Sequence, residues 1–496
     1  MGDDVSAGAF SREQRQRYRE KIHLCLDVFE RMLATSSFEF DRPMTGMEVE
    51  LNLVDDDWQP MMANAAVLEQ IADGSFVTEL GAYNIEFNVD PRPLPGMAAL
   101  DLEKDLRASL NAAEAKANTL GAHIVMTGIL PTVMPHHYEG EEWMTASARF
   151  TAMQEMIFTS RGEDMLIDIA GAGPGAERLT MYSPTIAPES ACTSLQLHLQ
   201  VAPSQFAAHW NAAQVLLAPQ IALAANAPFF FGRRLWSETR IELFKQAVDT
   251  RPEELRNQGV RPRVWFGERW ITSIFDLFEE NVRYFPSLLP EITDEDPMAM
   301  LESGKAPKLQ ELRLHNGTVY RWNRPVYDVV AGRPHLRVEN RALPAGPTVI
   351  DAMANAAFYY GAIRTLAHQE RPVWTKMSFH TAEENFLGCA QRGMDYPMYW
   401  PSLGEITPDE LVLRRLLPMA HEGLEKWGVA QEVRDRYLGV IEARAKVGRN
   451  GADWQTQAVQ ALEAKGADRA TALRQMLELY ATHMHSNEPV HSWPLP

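Results

Sequence analysis

The stretch Gly46-Met47-Glu48-Val49-Glu50-Leu51-Asn52-Leu53 decides how the rest of the chain is read. Side chains alternate across a strand, so Met47, Val49, Leu51 and Leu53 share one face, and Glu48, Glu50 and Asn52 share the other. Three further stretches repeat this division. From Asn84 to Asp90, Ile85, Phe87 and Val89 oppose Asn84, Glu86, Asn88 and Asp90. From Leu195 to Gln200, three leucines oppose Gln196, His198 and Gln200. From Leu336 to Arg341, the polar face carries Arg337, Glu339 and Arg341. A half-solvated antiparallel sheet alternates in the same way, but its outer face is usually rich in Thr, Lys and Ser. Two carboxylates on one strand face repel each other unless a cation lies between them. A hard divalent ion with oxygen ligands resolves that repulsion, and Mg²⁺ typically combines few carboxylates with waters and substrate phosphates. The four polar faces are therefore expected to line the floor of a metal–phosphate funnel.

Outward from these strands, helical patterns dominate. Ser11 with Gln14 makes a capping box, followed by an apolar stripe of Tyr18, Ile22, Cys25, Phe29 and Leu33. The spacing of Leu102, Leu106, Leu110, Ala113, Ala117 and Leu120 predicts a second helix ending at Gly121, and His123 to Leu130 reads as a strand. The strand at Asn84 is expected to stop at Pro91-Arg92-Pro93. Long helices are expected over 204–225 and 348–368, and beyond about Thr407 the pattern becomes wholly helical, over 410–417, 432–446, 454–465 and 469–485. Strands alternating with long helices indicate a mixed α/β or α+β fold rather than a sandwich. The expected organisation is an N-terminal helix over 1–37, a catalytic domain over 38–405, and a helical C-terminal extension over 406–496 packed on it.

Of the 496 residues, 47 are Lys or Arg and 66 are Asp or Glu, a net charge of −19. That acidic surplus argues against nucleic acid as a partner. Cys25, Cys192 and Cys389 are too few and too scattered for a disulfide framework or a Cys-rich zinc site, which fits a reducing cytoplasm. The acidic start Met1-Gly2-Asp3-Asp4 lacks the apolar core of a signal peptide, and the run from Leu216 to Phe231 is too interrupted to span a bilayer. No membrane association is expected. Gly171-Ala172-Gly173-Pro174-Gly175 lacks the Gly-Lys-Ser/Thr ending of a phosphate loop and reads as a turn or lid. His136-His137 reads as an exposed pair. Arg233, Arg234, Arg240 and Arg324 could grip carboxylate or phosphate in a bidentate fork, although spacing alone makes each of them a surface charge or salt bridge.

Taken in order, these motifs resemble the glutamate–cysteine ligase family, in its type 2 bacterial carboxylate–amine ligase branch. Gly46-Met47-Glu48-Val49-Glu50 is similar to the family's first-strand G-x-E-x-E, and Glu79 and Glu86 match its paired glutamates seven residues apart. The polar stretch around His198 looks like its central His strand. Asn226-Ala227-Pro228-Phe229 through Arg240 resembles its Asn-Ser-Pro-Phe segment and following Arg. Gly317-Thr318 to Arg324-Pro325 and Glu339-Asn340-Arg341 are similar to its G-T-x-W…R-P strand and its E-x-R. The likeness covers roughly residues 40 to 400. The chain departs from the pattern at Leu343, where an Asp is frequent, at Gln196, where the first His of an H-x-H is common, and at Ala227 in place of Ser. These departures bear on the acceptor amine more than on the metal–nucleotide machinery.

The resemblance implies a glutamine-synthetase-like α+β fold, with a curved and mainly antiparallel sheet forming a funnel and helices outside. It implies Mg²⁺ (or Mn²⁺) held by Glu48, Glu50, Glu79, Glu86 and Glu339, with His198 joining or bordering them. Arg240, Arg324 and Arg341 would hold the γ-phosphate or the substrate carboxylates, and Asn226 would accompany them at the nucleotide. Glu79 gains its role only through the resemblance. The implied reaction couples ATP, glutamate and cysteine through an acyl phosphate to give γ-glutamylcysteine, ADP and phosphate, a step of glutathione biosynthesis. No protein nucleophile is needed, so Cys192 and Cys389 read as small core residues. Three alternatives stay open: another acceptor amine, a guanidino phosphotransferase on a related fold, and a non-catalytic nucleotide-binding descendant. Monomer and homo-oligomer are equally compatible with the sequence.

Overall fold

The computed structural model describes residues 10–36, 38–40 and 44–496; the acidic opening Met1-Gly2-Asp3-Asp4 lies outside them. Helix α1 (Arg12–Thr35) starts where the capping box requires. Ser11 Oγ accepts from the Gln14 N–H (3.1 Å), and Gln14 Oε1 accepts from the Ser11 N–H (2.7 Å). Its apolar stripe is buried from Tyr18 to Met32, and Leu33 is only half-buried.

The centre of the molecule is a seven-stranded sheet made of β1 (Met44–Val54), β2 (Phe76–Thr78), β3 (Asn84–Pro93), β4 (His123–Val125), β5 (Leu195–Gln200), β6 (Asn323–Val330) and β7 (Arg333–Asn340). The strand order is β6-β7-β5-β1-β3-β2, and every pairing is antiparallel. Along one edge β1 changes partner: Thr45–Val49 pair with β5 and Asn52–Val54 with β4. A register shift between Thr45 and Met47 adds twist at the other end. The result is the curled antiparallel sheet expected for the α+β class.

Three expectations need correction. The strand from His123 was read as far as Leu130, yet it stops at Val125. Beyond it the Thr127 carbonyl turns to accept from Asn52 Nδ2 (3.2 Å), and Gly128 packs so tightly on Pro344 and Ala227 that a side chain there would collide. Strand β3 does not end at Pro91 but pairs through Pro93. There its outer edge has no strand neighbour among the described residues, because β2 covers only Ile85 to Phe87, so the missing proline N–H groups cost nothing. Leu120 is exposed, because α2 (Ala98–Ala117) gives way to a 3₁₀ turn before Gly121 takes its left-handed conformation.

A short helix α3 (Ala187–Ser190) precedes β5, and behind the sheet lie α4 (Phe206–Ala224) and α5 (Val349–Ala367). Almost every side chain of α4 and α5 is buried, as their apolar composition all round demands. Helix α6 (Leu417–Lys426) crosses α5 so closely that a Cβ on Gly361 or Gly423 would overlap the opposing backbone. The helix expected over 410–417 therefore runs on to Lys426, with one π turn at Val412–Leu416 just before Pro418, whose missing N–H cannot continue the α ladder. Helices α7 (Gln431–Val447), α8 (Gly451–Ala464) and α9 (Arg469–Ser486) complete the chain, and one hydrophobic core runs from Tyr18 to Trp493. No helix among the described residues is long and apolar enough to cross a membrane.

Buried polar ties fix the last helices to the wall. Arg444 on α7 donates to Asp351 Oδ1 and Asn355 Oδ1, both at 2.7 Å, and both ion-pair partners are fully buried. Arg444→Ala leaves Asp351 charged, buried and without its cation. Denaturant unfolding should show a loss of about 3–5 kcal/mol; a loss below about 1 kcal/mol would mean that this tie contributes little to seating α7.

Candidate active site

Strand register brings the acidic residues together. Glu50 lies directly opposite Glu86 across β1 and β3, and Glu48 lies opposite Asn88 on one side and Gln196 on the other. Glu339 lies opposite both His198 and Arg324. One face of the sheet therefore collects Glu48, Glu50, Glu86, His198, Arg324 and Glu339, with Arg341 just past the end of β7. Asn52 and Asn84 lie deeper on the same face and bond to each other (Asn84 Nδ2 to Asn52 Oδ1, 3.0 Å), sealing the floor.

Glu79 reaches this face from the turn after β2. Asn64 holds that turn by donating to the Gly81 carbonyl (3.2 Å) and Thr145 Oγ1 (2.8 Å), and Thr145 in turn donates to the Glu79 carbonyl. Carboxylate oxygens of Glu50, Glu79 and Glu86 all lie within 4.8 Å of one another. No cation pairs with any of the three among the described residues. Glu50 accepts only from neutral groups, the Ser194 N–H (2.6 Å) and Gln196 Nε2 (2.9 Å). Burial, and then the charge of Glu86, push Glu50 up to about 7. Burial followed by Glu86 and Glu50 holds Glu79 well above the usual carboxylate range, and burial with Glu48 raises Glu86.

The second group sits beside the first. His198 Nε2 lies 3.0 Å from Glu48 Oε1 and His198 Nδ1 lies 4.0 Å from Glu339 Oε2, yet neither ring nitrogen has a hydrogen bond of acceptable geometry. Donor atoms that converge without bonding to one another are what a shared ligand would need. Burial works to raise Glu48 and Glu339, but both are held low, Glu48 by His198 and Glu339 by Arg324 and Arg341. Arg324 donates to Glu339 Oε2 through Nε (3.0 Å) and Nη2 (2.8 Å), and Arg341 Nη1 donates to Glu339 Oε1 (2.6 Å) and Gln196 Oε1 (3.0 Å). Each guanidinium keeps free N–H groups. A cavity of about 680 Å³ opens at Glu48, Asn88 and His198 and continues past Gln200, Asp90 and Arg337.

Arg240 and Asn226 are placed differently. Arg240 is buried, close enough to Glu50 for its charge to act on it, and donates through Nη1 to Glu238 Oε1 (2.9 Å) and the Ala342 carbonyl (3.1 Å), while its Nε has no partner. Asn226 is fully buried and fully engaged: Nδ2 donates to the Ala345 carbonyl and Tyr480 Oη, and Oδ1 accepts from Gln455 Nε2, all at 2.8 Å. Its side chain has nothing left to offer a nucleotide, so the structure does not bring it to the site as the sequence reading expected.

Sequence reasoning missed Glu189 on α3. Among the described residues its carboxylate has no hydrogen-bond or ion-pair partner, and burial, then Glu50, raise it to about 8 against the pull of Arg341. No spacing signal could have found it, because a four-residue helix carries no periodicity. Cys192 and Cys389 are packed residues whose thiols burial raises, as expected of core cysteines. The Gly171–Gly175 segment is the turn of a hairpin between Met165–Ala170 and Arg178–Ser183. His136 is exposed and His137 half-buried, in a 3₁₀ turn.

Set beside known proteins, residues 44–476 match the sequence profile of glutamate-cysteine ligase family 2. A search of curated proteins by sequence returns no match. Among solved structures, a glutamate–cysteine ligase from Francisella tularensis in complex with AMP superposes with a TM-score of 0.54 at 12% identity, covering 92% of this chain and 91% of its own. A bifunctional glutathione synthetase from Pasteurella multocida aligns over 95% of this chain and 55% of its own, at 12% identity and a TM-score of 0.49.

Three mutually repelling carboxylates should bind a hard divalent ion, and protons must leave for it to do so. Below pH 7 Glu50 holds its proton and competes with the ion, so apparent Mg²⁺ or Mn²⁺ affinity should rise between pH 6 and 8. Calorimetry in two buffers of different ionisation enthalpy should show proton release, and Glu86→Gln should weaken binding at least about tenfold. Affinity that ignores both pH and the substitution would sink the assignment.

Proposed function

The chain belongs to glutamate-cysteine ligase family 2 and is an ATP-dependent carboxylate–amine ligase, and we propose that it joins the γ-carboxylate of glutamate to the amine of cysteine. The observation that carries this reading is the pair of ligand groups on one sheet face, Glu50/Glu79/Glu86 and Glu48/His198/Glu339, beside a cavity large enough for a nucleotide. A ligase of the same fold binds AMP, which supports placing an adenine nucleotide in that cavity.

The donor sets fit the metal that the family implies. Three converging carboxylates suit a hard ion such as Mg²⁺, and the imidazole of His198 in the second set admits Mn²⁺ as well. Bound there, the ions would neutralise the phosphate oxygens and let two anions approach. The chain's own residues do the rest. Arg324 and Arg341, held by Glu339 with N–H groups to spare, grip the transferring phosphoryl group. Arg337 and Gln200 line the continuing cavity and orient the nucleoside end. Arg240, clamped by Glu238, offers its unpartnered Nε.

In the first step a γ-carboxylate oxygen of glutamate attacks the γ-phosphorus and ADP leaves. In the second the acceptor ammonium gives up one proton to become the free amine, its nitrogen attacks the acyl carbon, the carbon–oxygen bond to phosphate breaks, and a second N–H proton leaves to the departing phosphate or solvent as the amide forms. Glu189, which has no hydrogen-bond or ion-pair partner among the described residues and whose proton affinity burial raises, is assigned to accept the first of these protons. Fixing the reactants on a rigid sheet supplies much of the acceleration. Free cysteines at 25, 192 and 389 fit a reducing cytoplasm, where a thiol substrate stays reduced.

Product analysis by mass spectrometry with ATP, Mg²⁺, glutamate and an amine panel should give γ-glutamylcysteine, with ADP release stimulated most by cysteine. Stimulation by a different amine alone would replace the acceptor, and a phosphorylated guanidine without any amide would overturn the ligase reading. Glu48→Gln and Glu339→Gln should each lower turnover by about a thousandfold while leaving the unfolding midpoint within a few degrees; full activity in both would contradict the metal assignment.

A further inference from the structure

A second cavity, of about 200 Å³, lies between the glycine-rich hairpin turn at Ala172, the segment Arg234 to Ser237, and helix α8. It shares no lining residue with the cavity at Glu48 and His198. Its volume is more than ten times what one water needs. Its polar groups come from Arg234, Ser237, Asp453, Thr456, Gln457 and Gln460.

Two of these side chains carry opposite charges that do not meet. Arg234 spends one guanidinium nitrogen on the Pro174 carbonyl (2.7 Å) and makes no ion pair among the described residues. Asp453 accepts from the Asn450 N–H through Oδ2 (3.1 Å), and nothing among the described residues bonds to Oδ1. No described cation stands within 4 Å of it. Burial disfavours the charge on both, lowering Arg234 and raising Asp453 to about 6. Arg234 and Asp453 feel each other's charge across the cavity but form no ion pair, so a half-buried guanidinium and a half-buried carboxylate face one small polar space that a ligand carrying both complementary charges would fill.

We propose that this cavity binds a free α-amino acid, its carboxylate on Arg234 and its ammonium on Asp453. The fork of Arg234 matches a carboxylate in bidentate geometry, and an ammonium needs the acceptor that Asp453 leaves open. Thr456, Gln457 and Gln460 provide both donors and acceptors for a short polar side chain. The small volume excludes nucleotides and tripeptides. The site touches the ligase machinery through the chain itself. Ser237 lines the cavity, the next residue Glu238 clamps Arg240, and Gln455, two residues on from Asp453 in α8, holds Asn226.

The test uses the full chain without ATP or metal, so that it stands apart from the ligase reading. L-serine and L-glutamine are titrated by calorimetry, with acetate and methylamine as half-ligands that carry one charge each. At least one amino acid should bind with a Kd below about 1 mM, and each half-ligand should bind at least a hundredfold more weakly. Arg234→Gln and Asp453→Asn should each weaken the amino acid at least tenfold, and Gln460→Leu provides a milder variant should either disturb the fold. A crystal soak should place the zwitterion between Arg234 and Asp453. Absence of binding up to 10 mM, or binding unchanged in all three variants, would overturn the proposal.

Discussion

Everything in this molecule answers to one electrostatic constraint: Glu50 and Glu86 face each other directly across paired strands, with Glu79 brought against both. Like charges in direct register weaken a sheet by up to about 1 kcal/mol per pair. Burial multiplies the problem: burial and the neighbouring carboxylates raise Glu79 and Glu86 above the ordinary carboxylate range and push Glu50 up to about 7. The remainder of the fold keeps the three carboxylates where they would not choose to be. Asn64 pins the turn that carries Glu79, and Asn52 with Asn84 closes the floor beneath.

The neighbouring group solves the same problem by different means. Glu339 is as deeply buried, but two guanidiniums hold it ionised, and Glu48 is held low by His198. Side by side on one sheet face therefore stand three carboxylates with no cation of their own among the described residues and a Glu339 already matched with two guanidiniums. The first has the stronger demand for a divalent ion; the second offers orientation, because Arg324 and Arg341 are fixed by Glu339 and present their remaining N–H groups in set directions. A surface of this kind binds anions despite the net charge of −19, because the local sign is set by a few fixed groups and not by the total.

The helices beyond Thr407 work inward as well as outward. Asn226 is the node: it bonds to Ala345 behind β7, to Tyr480 on α9 and to Gln455 on α8, and its backbone N–H reaches Glu238, the clamp of Arg240. A residue that the motif pattern put at the nucleotide is thus a structural pin. The segment there resembles the family's Asn-Ser-Pro-Phe motif, but a resemblance marks a position without recording what the residue does.

The alternation in four short stretches was enough to establish a sheet with one apolar and one chemical face, because the two-residue period of a strand leaves no other arrangement for Glu48, Glu50, Glu86, His198 and Glu339. The apolar composition of 206–224 and 349–367 likewise announced buried helices. Order along the chain carried the family, since several modest motifs in sequence are far harder to meet by chance than any one alone. What tertiary structure alone decided was register and direction: that Glu50 meets Glu86 rather than Asn88, that Glu339 meets His198, that Arg240 points into Glu238, and that Glu189 arrives from a helix too short to leave a periodic trace. Strand pairing joins residues hundreds of positions apart through backbone hydrogen bonds that are the same for every side chain, so local sequence can name the faces but not the partners across them.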